Sequence, residues 1–170
     1  LAGAADDNGA PDVYVRDLPA SVTLWASRPD GTAPAGDGYA GAPALSADGA
    51  VVAFAAGAAG RTPDDPDTVQ DVFTRNLVTG RTVLVSRSGT GAKGDGPSGL
   101  PVISDDGTRV AFTSSAANLV PGDADGTEDV FLRDTASGTT AAVSRADGDG
   151  PPVGARAGGA PGGSPGLDCI

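Results

Sequence analysis

Three stretches of this sequence hold oxygen-bearing side chains at alternating positions, and the chemistry they suit is capture of a hard cation. Their first residues, Asp6, Asp65 and Asp123, stand 59 and 58 residues apart. The first stretch offers Asp6, Asn8 and Asp12, the second Asp65, Asp67 and Asp71, the third Asp123, Asp125 and Asp129. Ca2+ takes about six to eight oxygens from carboxylates, amides, backbone carbonyls and water. Side chains at i and i+2, with Gly or Thr at the bend, converge on one point, and the last Asp of each set closes the cup. These residues are the candidate metal ligands, and Ca2+ is the candidate cofactor. The loops are not EF-hands. Eleven residues after each first Asp come Asp17, Asn76 and Asp134 rather than a bidentate Glu, and strands follow rather than helices. A plainer reading stands beside this one: Asp and Asn favour turns because they bond their own backbone.

Other catalytic chemistry is sparse. The chain has no histidine, which removes the commonest general base and transition-metal ligand. No nucleophile stands with a base, so the chain reads as non-enzymatic. Trp25, Tyr14 and Tyr39 could stack a glycan, but Trp25 falls where Leu84 and Ala142 fall in the other copies, which favours packing. Arg16, Arg75 and Arg133 recur at one position and are expected to pair with blade carboxylates, Asp48 and Asp106 being the candidates. Ser27-Arg28, Ser86-Arg87 and Ser144-Arg145 read as turn and edge chemistry. Cys169 has no partner for an internal disulfide. A net charge of −11 argues against nucleic acid or an anionic membrane surface as partner. No apolar run is long enough to span a bilayer. The first residue is Leu1 rather than Met, which reads as a processed or excised segment.

The elements that must position the acidic loops are strands. Residues 12–18 and 21–27 alternate with period 2 and read as a strand pair around the Pro19-Ala20 turn. A short strand over 43–49 ends in the Asp48-Gly49 turn, followed by the apolar run 51–55, short enough for a strand buried on both faces. Then come the second acidic loop and strands over 71–77 and 81–86. The pattern repeats over 101–107, 109–113, 129–135 and 139–144. No segment shows capped helical periodicity. A fixed period near this length marks an array of one supersecondary unit, and four short antiparallel strands per unit describe a β-propeller blade. The expected fold is therefore all-β: a half blade over 1–28, complete blades over 43–87 and 101–145, and a Gly/Pro-rich tail over 146–170.

At these residues the chain resembles a known family. Ser46, Asp48, Gly49, Val52, Ala53 and Phe54, with their counterparts Ser104, Asp106, Gly107, Val110, Ala111 and Phe112, are similar to the WD-like propeller repeats of the TolB type. Asn118-Leu119-Val120-Pro121-Gly122-Asp123 matches the segment that precedes the acidic loop in the long variant of that repeat, found in bacterial envelope and secreted proteins. The resemblance spans roughly residues 6–145. The second unit departs from it at residues 56–63, and the first has only its last two strands. The resemblance implies a scaffold or binding module, secreted or in the cell envelope, and no single function.

Two blades and a half are too few for a ring, which closes with about four to eight. Open sheet edges invite pairing with another chain. The expectation is association with copies of itself, as a homo-oligomeric ring or a filament, or with other proteins, with the tail docked on a neighbouring subunit; a glycan is a further possible ligand. The alternative is a fragment of a larger propeller that binds or cleaves glycan or peptide.

Overall fold

In the computed structural model the described residues are 9–29, 38–123 and 126–144. They form ten strands and no helix. Strands β1 (Tyr14–Asp17) and β2 (Val22–Trp25) make a two-stranded sheet. Strands β3 (Ala40–Leu45), β4 (Val51–Ala56), β5 (Asp71–Asn76) and β6 (Thr82–Leu84) form a four-stranded antiparallel sheet in sequence order. Strands β7 (Ser98–Ile103), β8 (Arg109–Ser114), β9 (Asp129–Asp134) and β10 (Thr139–Ala142) repeat it. The all-β propeller-blade architecture expected from the repeats is what the chain adopts. The tail over 146–170, with Cys169, lies outside the described residues.

The first strand of each full blade starts three residues earlier than Pro43 and Pro101 suggest. The pairing shifts between Gly41 and Ala44, and between Gly99 and Val102. Each shift is a bulge, in which Ala42-Pro43 stands opposite Phe54 and Leu100-Pro101 opposite Phe112. Proline has no N–H for the ladder, and a bulge is where a strand tolerates that lack. Ala42 and Leu100 take φ values of 49° and 48° there.

The Asp-Gly turns form as expected. Gly49 and Gly107 sit at φ 71°, where a side chain would be strained. Asp106 Oδ1 accepts from Ser104 Oγ at 2.6 Å, Thr108 N at 3.0 Å and Thr108 Oγ1 at 2.8 Å. Asp48 is held in the same way by Ser46 Oγ and Ala50 N. The Ser104 bond, then those from Thr108, hold the Asp106 carboxyl down at about 2. A folded-state pKa below the ordinary 3.8 means that this contribution to stability is complete above that pH and disappears as the pH falls toward about 2. Thermal melts of the wild type and Asp106→Asn across this acid range should converge as the pH drops; a constant difference between them would refute the assignment.

The core lies between blades. Phe54, Phe73, Val52 and Leu84 on one face of β4–β6 pack on Val13 and Ala26 of the half blade. Phe112, Phe131, Val110 and Ala142 pack in the same way on Ala53, Val72 and Val85, on the opposite face of the middle blade. The β4 run is buried on both faces, as its composition requires. In each full blade two phenylalanines stack across neighbouring strands with centroids 5.8 Å apart.

A polar latch accompanies each junction. Arg75 Nη1 donates to Pro29 O at 3.0 Å and Thr82 Oγ1 at 2.8 Å, while Thr82 Oγ1 donates to Arg28 O at 2.8 Å. One blade later, Arg133 Nη1 donates to Ser88 O at 3.0 Å and Thr140 Oγ1 at 2.9 Å, and Thr140 Oγ1 to Arg87 O at 2.6 Å. This corrects the expectation that Asp48 and Asp106 pair with the recurrent arginines. Those aspartates are consumed by their own turns at the blade edge, whereas the guanidinium groups reach the carbonyls of the preceding blade's last segment. A guanidinium has five donors, enough for two carbonyls and a hydroxyl.

Candidate metal centre

Each acidic loop delivers its last aspartate to the head of a blade's third strand, and a serine at the end of the fourth strand fixes it. Ser86 Oγ donates to Asp71 Oδ1 at 2.7 Å and accepts from Val72 N at 3.0 Å. Ser144 Oγ binds Asp129 Oδ1 at 2.7 Å and Val130 N at 3.0 Å. Ser27 Oγ binds Asp12 Oδ1 at 2.5 Å and Val13 N at 3.0 Å. These serines read from sequence as turn residues; they are the clamps that orient Asp12, Asp71 and Asp129. Their position, two residues past the end of a strand in every copy, was the available signal.

The clamp uses one carboxylate oxygen and leaves the other. Asp12 Oδ2 and Asp129 Oδ2 are buried without a hydrogen-bond partner among the described residues. Asp71 Oδ2 is occupied. Lys93 Nζ lies 2.7 Å from it and 3.0 Å from Asp67 Oδ1. The third member, Asp65, is buried, and its Oδ1 has no hydrogen-bond partner among the described residues. Asp65, Asp67 and Asp71 present ligand oxygens that all lie within 4.8 Å of one another. The sequence-expected second set is thus assembled, with an ammonium inside it. Asp123 and Asp129 of the third set are buried, and Asp125 lies outside the described residues. Of the first set only Asp12 is described; Asp6 and Asn8 lie outside.

The electrostatics of the second set follow from this crowding. Burial, then the charge of Asp71, pushes the Asp65 carboxyl up to about 6. Burial also raises Asp71, against the opposing bonds from Lys93 and Ser86. Burial works against charging Lys93, but its bonds to Asp71 and Asp67 prevail and raise it. A carboxylate trio that one ammonium only partly neutralises has the charge and the hard oxygen donors that could hold a metal ion, with Lys93 Nζ competing for the place.

Lys93 was missed at the level of sequence because it belongs to the loop after the blade. That loop is pinned by Asn118: its Nδ2 donates to Lys93 O at 2.9 Å and its Oδ1 accepts from Asp95 N at 3.1 Å. Arg61 was missed too. It replaces Leu119 in the second unit, and both are fully buried. Its Nη1 donates to Ser27 O and its Nη2 to Gly38 O at 3.1 Å. Burial lowers its pKa, while the charges of Asp12 and Asp65 on either side oppose the shift. Trp25 was expected in the core; it is half-buried, stacks on Tyr14 at 6.1 Å and donates Nε1 to Ser27 Oγ at 3.0 Å.

No protein-family model matches the chain, and no curated protein does. Among solved structures, the chain is similar to TolB from Acinetobacter baumannii, with 18% identity and a TM-score of 0.47, over 82% of this chain and 28% of that one. It is also similar to a structure from Agrobacterium tumefaciens assigned to TolB, with 20% identity and a TM-score of 0.48, over 77% of this chain and 40% of that one. TolB structures are therefore among the neighbours of this chain, as its repeats led one to expect, and at these values the likeness concerns the fold alone.

Proposed function

We propose that this chain is a non-enzymatic β-propeller module that works outside the cell as a protein-binding scaffold, associates with copies of itself, and takes Ca2+ in its acidic loops. The observation that carries the reading is the stack of two repeated four-stranded blades and a strand pair, joined by apolar faces and by Arg–Thr latches to backbone carbonyls. On the first strands of the two full blades Leu45, Leu100 and Val102 are exposed, apolar surface that a protein partner can cover. No helix among the described residues is long and apolar enough to cross a membrane. The rival reading, a piece of a larger propeller that binds or cleaves glycan or peptide, is favoured by the chain's span of only 28% and 40% of the two solved chains.

The calcium part is supported by the buried, unpartnered Oδ2 atoms of Asp12 and Asp129 and by the assembled Asp65, Asp67 and Asp71. Calcium at about 100 times its Kd should stabilise the fold by about 2.7 kcal/mol for one site, a rise of several degrees in Tm. Calorimetry in excess chelator, in Ca2+ and in Mg2+ checks this, and equal melting in all three removes calcium from the proposal.

A further inference from the structure

We propose that Lys93 is a tethered counter-ion: its ammonium holds the cation place among Asp65, Asp67 and Asp71, and a divalent cation entering that place drives the side chain out into solvent. This rests on the calcium reading above and names the group that regulates the second acidic set.

The ammonium is surrounded as a hard cation is. Lys93 Nζ lies 2.7 Å from Asp71 Oδ2, 3.0 Å from Asp67 Oδ1 and 3.4 Å from Gly94 O. Carboxylates and a backbone carbonyl are the ligand types that Ca2+ takes, at about 2.3–2.6 Å. An ion held by the same two carboxylates would stand within a few ångström of Nζ, and like charges repel strongly in so small a place. The two occupants therefore exclude each other. Asp65 points to the divalent one. It is 2% exposed, its Oδ1 has no hydrogen-bond partner among the described residues, and it offers a ligand oxygen within 4.8 Å of those of Asp67 and Asp71. The ion pairs of Lys93 go to Asp67 and Asp71, which leaves this third donor to an ion of larger charge.

The residue type suits an occupant that can leave. Lys93 is the single lysine of the sequence, and the other ten of its 11 basic residues are arginines. The buried arginines bind backbone carbonyls instead: Arg61 those of Ser27 and Gly38, Arg75 that of Pro29, Arg133 that of Ser88. An arginine fork is planar and directional, whereas an ammonium is a compact, strongly hydrated point charge on a flexible stem. It sits where a spherical ion sits and returns to water readily. The loop itself does not call for it. Gly89-Thr90-Gly91-Ala92-Lys93-Gly94-Asp95-Gly96 repeats Gly31-Thr32-Ala33-Pro34-Ala35-Gly36-Asp37-Gly38, in which alanine takes the lysine's position.

The main chain around Lys93 is held, so that its side chain alone has to move. Asn118 Nδ2 donates to Lys93 O at 2.9 Å and Asp95 N donates to Asn118 Oδ1 at 3.1 Å, which ties this segment to the last blade. Arg87, at the start of the segment, pairs with Asp64 at 2.9 Å. Displacing the ammonium thus removes one of the two ion-paired ties that the described residues make between this segment and the acidic loop of the middle blade, and it leaves the backbone in place.

Amine labelling reads the exchange directly, because Lys93 carries the only side-chain amine of the sequence. The full chain is treated with a water-soluble acetylating ester in chelator and in saturating Ca2+. Peptide mass spectrometry follows the acetylation of Lys93, with free Nα-acetyl-lysine in the same tube as the rate reference. The Lys93 side chain is 13% exposed and paired, so it should react slowly in chelator and about tenfold faster in Ca2+, as the fraction of released ammonium rises. Asp65→Asn removes a ligand without removing either ion pair of Lys93, and should lose most of the acceleration. In calorimetric titration Lys93→Met should bind Ca2+ about tenfold more tightly than the wild type, since the competing occupant is gone. Circular dichroism checks the fold of both variants, and the labelling of the wild type is decisive without them. Wild-type binding of Ca2+ with the Lys93 rate unchanged would overturn the exchange and leave the calcium reading standing. Acceleration that Asp65→Asn retains would put the ion elsewhere and overturn it as well. Ca2+ that binds neither the wild type nor Lys93→Met would remove the calcium reading and the exchange together.

Discussion

Replacing Lys93 with alanine is expected to destabilise the folded chain by about 3 kcal/mol in calcium-free buffer, and calcium should then recover more stability in the variant than in the wild type. The Lys93 side chain is 13% exposed and its partner Asp71 is fully buried. Removing one partner of a buried pair leaves an uncompensated charge, at a cost of about 3–5 kcal/mol. The lower end applies because Asp67, the second partner, is 48% exposed and keeps its water. With the ammonium gone, oxygens of Asp65, Asp67 and Asp71 within 4.8 Å of one another have no ion-pair partner among the described residues, which leaves the donor set a hard divalent ion prefers. Lys93→Met keeps the aliphatic stem and separates lost packing from lost charge. Urea denaturation in chelator and in Ca2+ measures both effects. A Lys93→Ala protein that unfolds at the wild-type midpoint in chelator would show that the ion pair contributes nothing.

The second large effect belongs to Phe73. Phe73→Ala should cost about 3–5 kcal/mol, because a fully buried ring is lost from between two blades and the space cannot collapse. Domains of ordinary stability have about 5–15 kcal/mol in total, so the variant should be marginal. Tyr14→Ala, at the same repeat position in the half blade, should cost only about 1 kcal/mol, chiefly the stack on Trp25. Each is read from the shift in urea midpoint. Equal losses would mean that position within the blade, rather than depth of burial, governs the energy.

The contrast between Phe73 and Tyr14 also marks how far sequence reading reaches. Both stand at the same place in the motif, two residues ahead of the recurrent Arg and paired with the following strand, Tyr14 with Trp25 and Phe73 with Leu84. What separates them is packing: Phe73 is fully buried against Val13 and Ala26 of the half blade, whereas Tyr14 is 36% exposed. The acidic loops behave in the same way. That Asp71 and Asp129 would head a strand and turn a carboxylate into the loop was legible from alternation alone. That Ser86 and Ser144 would clamp them was not, because each pair is 15 residues apart and meets only across the strand ladder.

The strands, the Asp-Gly turns and the spacing of the three carboxylate sets were readable along the chain, because these depend on period-2 side-chain alternation and on backbone angles that few residues accept. Which cation meets which carboxylate, and where the recurrent arginines point, depends on contacts between segments far apart in the chain. Lys93 reaches Asp71 from the loop after its blade, Arg61 fills a leucine's place beside the half blade, and Arg133 binds carbonyls 45 residues away. Such contacts form when one sheet stacks on the next. The strand pattern encodes each face, but which surface lies opposite that face is settled by the packing of whole blades.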